Sequence, residues 1–119
     1  MKEKIITFET AKLAKDKGFE VEVTSYYKEA FPENLMIHGI KCNFNKYVEL
    51  CCSAPTQSLL QKWLREKHNL DILITKPENS YWDVYIWGET RELFFPNECA
   101  KSYEEALEKG LKNALNLIK

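Results

Sequence analysis

Glycine is scarce in this chain. There are four in 119 residues, scattered at Gly18, Gly39, Gly88 and Gly110. That spacing builds no glycine-rich loop to cradle a phosphate. Long apolar runs are missing as well, and nothing approaches the ~18 consecutive apolar residues of a membrane-spanning helix. Met1-Lys-Glu-Lys is followed by only Ile5 and Ile6 before Thr7, too short for the apolar region of an export signal. The expectation is a cytoplasmic location, no membrane, and reduced cysteines. An excess of either charge is also absent. The chain carries 17 basic and 18 acidic residues, for a net charge of −1. No global field therefore draws it to nucleic acid or to an anionic membrane.

The four cysteines lack metal-binding spacing. Cys42, Cys51, Cys52 and Cys99, with His38 and His68, contain no Cys-x2-Cys or His-x3-His pair, unlike structural zinc sites. Cys51 and Cys52 are adjacent and point different ways in an extended chain. Buried or half-buried free thiols are the expectation, with no metal and no cofactor. A cysteine nucleophile would need His38 or His68 beside a thiol in space. No carboxylate pair stands out from a solvated charge pattern, so no catalytic residue is assigned and the chain reads as a non-enzyme.

What is present is a globular composition, 45% hydrophobic and 13% aromatic, in a length that suits a single domain, 1–119. Such a chain buries roughly 65% of its unfolded surface. A first helix is expected over about 8–17, capped by Thr7, with Ile6 and Ala11 as a hydrophobic staple and Gly18 at its left-handed end. Its apolar face (Phe8, Ala11, Ala14) is weak, which suggests peripheral packing. The remainder of 1–53 is poorly patterned. Phe19, Val21 and Val23 alternate as in a half-buried strand, Pro32 reads as a breaker, Leu35 to Ile40 reads as a strand interrupted by Gly39, and Asn43, Asn45 and Lys46 read as a loop.

Residues 54–119 are better specified. A helix over about 57–68, with Thr56 as N-cap, carries the stripe Leu59, Leu60, Trp63 and Leu64, and Asn69 closes it. Three strands follow, at Leu70–Thr75, Tyr81–Trp87 and Arg91–Phe95, with Pro96 and Asn97 ending the sheet. A last helix over about 103–118 opens on the capping box Ser102-x-x-Glu105. The pairs Glu105–Lys109 and Glu108–Lys112 support it by about 0.3–0.5 kcal/mol each. Gly110 costs that helix about 1 kcal/mol relative to alanine, which points to a close contact at that position. The fold class is therefore α+β: a three-stranded antiparallel sheet flanked by two amphipathic helices, α-β-β-β-α, with an N-terminal helix and an irregular or strand segment added.

If both helices cover the face holding Trp82, Val84 and Ile86, the other face presents Tyr81, Tyr85 and Trp87 around Asp83. Three large aromatics on a solvent face need an account. Residues 1–54 could wrap over them, the face could bind a partner, or the face assignment could be inverted. The partner reading makes Tyr81, Tyr85 and Trp87 the candidate site.

The α-β-β-β-α order, with Ala106, Ala114, Leu115 and Ile118 closing it, resembles the double-stranded RNA-binding domain. That resemblance implies lysines at the start of the last helix to hold phosphates. The chain has Ser102-Tyr-Glu-Glu105 there, which repels phosphate, and it lacks a Gly-Pro-x-His loop. The 57–68 helix is superficially similar to a helix-turn-helix recognition helix, with Gln57, Ser58, Gln61, Lys62 and Arg65 as contacts. Gln61, Lys62 and Arg65 are the alternative nucleic-acid face, against the plainer reading of a core helix with a solvated side. Such a motif needs another helix just upstream, and Val48 to Pro55 does not read as one.

Three segments carry a broader resemblance: Thr10-Ala-Lys-Leu-Ala-Lys-Asp-Lys-Gly-Phe19, Ser53-Ala-Pro-Thr-Gln-Ser-Leu-Leu-Gln-Lys-Trp-Leu-Arg-Glu-Lys-His68, and Ser102-Tyr-Glu-Glu-Ala-Leu-Glu-Lys-Gly-Leu111. Together they resemble a family of small phage- and prophage-associated proteins of gut bacteria that has no assigned function. The resemblance implies a phage origin and an accessory role through an unidentified protein partner. The oligomeric expectation is a monomer or weak homodimer.

Overall fold

In the computed structural model, residues 3–76, 81–88, 93–94 and 99–118 are described. The chain is α+β and divides into two compact units, Met1–Thr56 and Gln57–Lys119.

The first unit opens with α1, Phe8–Asp16. The Thr7 hydroxyl accepts the Thr10 N–H at 3.4 Å. At the other end Gly18 takes φ +89°, where a side chain is strained. The Gly18 N–H reaches the Lys15 carbonyl and the Phe19 N–H reaches Ala14, the paired bonds of a Schellman ending. The weak apolar face is not peripheral. Thr10, Ala11 and Ala14 are completely buried, because small residues let the helix lie close on the strand beneath it.

That strand belongs to an antiparallel sheet of order β2-β1-β3, formed by β1 (Val23–Lys28), β2 (Phe31–Cys42) and β3 (Cys51–Ser53). The sequence expectations need correction here. The alternation at 19–23 lies mostly before β1. Pro32 does not break an element but sits inside β2, which an edge strand tolerates because no inner ladder needs its missing N–H. The Asn43–Lys46 stretch is not a plain loop. It holds a single helical turn, α2 (Phe44–Tyr47), whose cap is the Asn43 side chain accepting the Lys46 N–H.

Pairing between β1 and β2 is irregular at two places. From Val23 to Ser25 the partner in β2 moves from Cys42 to Ile37, and from Tyr27 to Lys28 it moves from Leu35 to Phe31. Only Leu35, Met36 and Ile37 stay in continuous register. The first irregularity contains Gly39, and the His38 ring nitrogen accepts the Ile40 N–H within it. Most of β2 is exposed, including Phe31, Leu35, Ile37 and Ile40.

Specific bonds hold the first unit together. The Tyr27 hydroxyl donates to the Ile6 carbonyl at 2.7 Å, and its ring meets Phe8 edge-on. The Asn45 amide donates to the Phe19 carbonyl, and its oxygen accepts the Ser53 N–H at 2.8 Å. The Lys15 ammonium donates to the Cys51 carbonyl. Tyr26 stacks on Phe44 on the opposite face.

The second unit begins with α3, Gln57–His68, ended by Asn69 at φ +55°. Leu60, Trp63 and Leu64 are buried. β4 (Asp71–Thr75) and β5 (Trp82–Trp87) pair antiparallel. β6 (Leu93–Phe94) and β7 (Cys99–Ala100) both pair with β5. β7 thus pairs with β5 later in the chain than Pro96 and Asn97, which lie outside the described residues. α4, Tyr103–Asn116, carries its Ser102 cap on the Glu105 N–H.

α4 packs on β4, β5 and β7, and α3 packs on β4 and α4. Gly110 lies where this packing is closest. A Cβ built there would come within 2.9 Å of both Ile72 Cγ2 and Val84 Cγ1. Of the expected ion pairs, Glu105–Lys109 forms at 3.7 Å. Glu108 does something the pattern did not suggest. It is buried and accepts the Gln57 amide at 2.9 Å, while the same amide donates to the Glu104 carbonyl.

Candidate functional site

Strand alternation sorts β4 and β5 onto two faces. Ile72 pairs with Ile86 and Ile74 with Val84. Ile72, Val84 and Ile86 are buried, beneath the helices of this unit. Asp71 pairs with Trp87, Leu73 with Tyr85, and Thr75 with Asp83, so these six share the opposite face. The face assignment made from the sequence is therefore not inverted. Tyr81 is 55% exposed, Leu73 49% and Trp87 40%, whereas Tyr85 is half-buried. Leu73 belongs to this face and was missed, although its place in the Leu70–Thr75 alternation was a sufficient signal.

Trp82 lies on the helix side. Its ring meets Tyr103 of α4 edge-on, and the Lys76 ammonium sits 5.5 Å over it. Trp87 has no cation or ring partner among the described residues.

The alternative face is partly committed elsewhere. The Gln61 amide donates to the Ile72 carbonyl at 3.1 Å, and Gln57 is held by Glu104 and Glu108. Lys62 and Arg65 are exposed. Residues 48–56 hold β3 and no helix, so no helix-turn-helix partner precedes α3. Glu104 and Glu105 are exposed at the start of α4, where a double-stranded RNA-binding domain places lysines.

Cys51 and Cys52 are buried free thiols, and Cys42 is half-buried and free. Burial raises the Cys51 thiol above its ordinary value, against the pull of Lys28 and Lys15. Burial raises Cys52 as well, against Lys15 and Lys12. A nucleophilic thiolate needs the reverse shift. Among the described residues no group of three or more His, Cys, Asp or Glu converges as a metal site. No helix among them is long and apolar enough to cross a membrane.

No protein-family model, curated protein or solved structure matches the chain.

Proposed function

We propose that this chain is a non-enzymatic accessory protein that works by docking a protein partner on the open face of the second unit's sheet. The observation that carries this reading is the exposure of Leu73 and Trp87 on one sheet face, with Tyr81 exposed just before β5. Isolated exposed apolar residues are ordinary, but large ones gathered on one face mark interaction surfaces. In this reading β6 and β7 act as one interrupted third strand, which gives the unit an α-β-β-β-α order. A phage origin and a cytoplasmic site of action belong to this proposal and rest on the resemblance read in segments 10–19, 53–68 and 102–111. Burial raises the Cys51 and Cys52 thiols, which argues against those two as nucleophiles. A nucleic-acid role would rest chiefly on the charges of Lys62 and Arg65, since Gln57 and Gln61 use their amides inside the unit.

The test compares wild type with Trp87→Ala in affinity capture from bacterial lysate, with mass spectrometry of bound protein and nucleic acid. Trp87 is part-exposed, so the variant is expected to keep the wild-type circular dichroism spectrum. The expected result is a protein retained by wild type and lost from Trp87→Ala. An identical set of captured proteins from both would overturn the reading, as would capture of nucleic acid alone.

A further inference from the structure

We infer that the occupant of this face is a basic segment of the partner protein, extended and carrying arginine or lysine side chains four residues apart. The inference rests on the docking role proposed above and names the chemistry it would recognise.

The argument starts from register. Asp71 lies directly opposite Trp87, and such cross-strand neighbours have Cβ atoms about 4.5–5.5 Å apart. A carboxylate beside an open indole is a site for a cation, because the ring face and the carboxylate both attract positive charge. Four residues along, Asp83 lies opposite Thr75. Leu73 and Tyr85 form the apolar row between them. The face is thus an apolar middle with a carboxylate toward each end.

No lysine or arginine stands at the described β4 and β5 positions of this face. Neither Asp71 nor Asp83 forms an ion pair among the described residues. The chain covers other rings with its own lysines, Lys46 over Tyr47 and Lys76 over Trp82. Trp87 has no such cover among the described residues. The net charge of −1 means that attraction for a basic segment would be local to this face rather than general. Phosphate polymers are repelled by the same two carboxylates.

Spacing sets the form of the ligand. Four residues along a strand span about 13 Å. An extended peptide covers the same distance between positions one and five, and its third side chain points to the same side. An Arg-x-Leu-x-Arg segment therefore matches the carboxylate, apolar, carboxylate order.

The experiment titrates the full chain with three capped peptides, Arg-Gly-Leu-Gly-Arg, Gln-Gly-Leu-Gly-Gln and Glu-Gly-Leu-Gly-Glu, followed by amide and indole NMR shifts. The arginine peptide is expected to move the resonances of Leu73, Tyr85 and Trp87. The Asp71→Asn/Asp83→Asn variant is expected to bind it about tenfold more weakly, as the loss of one exposed and one half-buried charge contact implies. A control, Glu22→Gln/Glu33→Gln, removes two exposed carboxylates from the first unit and is expected to bind like wild type.

Equal binding of the arginine and glutamine peptides, unaffected by the Asn variant, would overturn the basic-segment inference and leave the docking role standing. Equal weakening by the control would overturn it as non-local charge attraction. No shift on β4 and β5 with any peptide would overturn it as well, and the docking role would then stand or fall on Trp87→Ala capture.

Discussion

Replacing Gly110 with alanine sets two opposed effects against each other. In a helix interior alanine is favoured over glycine by about 1 kcal/mol. The new methyl, however, would stand 2.9 Å from Ile72 Cγ2 and 2.9 Å from Val84 Cγ1. Both methyls are attached directly to Cβ of β-branched side chains, which are stiff at χ1, and both residues are buried. Neither is the loose end of a long side chain, so relief requires the helix to move from the sheet. Overpacking of this kind costs typically 1–3 kcal/mol, and two simultaneous contacts argue for the upper half of that range. The expected net change is a loss of about 1–2 kcal/mol. Trp63, Trp82 and Trp87 all lie in the second unit, so tryptophan fluorescence in urea reports on that unit. With a slope near 1 kcal/mol per molar urea for a small unit, the midpoint should fall by about 1–2 M. In a Val84→Ala background one obstructing methyl is gone, and the same substitution should cost measurably less. A Gly110→Ala protein more stable than wild type, or an equal cost in both backgrounds, would refute the reasoning.

Two further outcomes follow from buried groups in the first unit. Tyr27→Phe removes the 2.7 Å bond to the Ile6 carbonyl and should cost about 1–2 kcal/mol, read as faster amide exchange in β1 and β3; unchanged exchange would contradict it. The raised Cys51 and Cys52 thiols make stability fall at alkaline pH. Below the ordinary thiol value, about 8.5, both states keep the proton. Above it the unfolded chain loses protons that the folded one retains, so the free energy of unfolding declines as pH rises toward the folded values. Under reducing conditions Cys52→Ala should decline less steeply between pH 8 and 9.5, and an unchanged slope would remove the account.

The parts legible in the sequence are those whose local chemistry decides the outcome. Thr7 with Gly18 and Ser102 with Glu105 mark α1 and the start of α4 by capping alone. The stripe around Leu60, Trp63 and Leu64 locates α3. The alternation at Trp82–Trp87 already separates the open aromatic face from the buried one. The first unit was hard to read because its signals are contextual. Pro32 looks like a breaker unless β2 is known to be an edge. Three asparagine and lysine positions look like a loop until Asn43 is seen capping one turn. The Gln57–Glu108 bond joins two polar residues far apart in sequence, and periodicity has no means of pairing them.

The two dislocations in β2 bear on how the molecule tolerates crowding. A long outer strand with Phe31, Leu35, Ile37 and Ile40 exposed invites another chain to continue the ladder. Growth by strand addition needs successive peptide groups presented at an even pitch, and here only Leu35 to Ile37 keep that pitch against β1. The interruptions act as firebreaks: a neighbouring strand can meet greasy side chains there without finding a template long enough to copy.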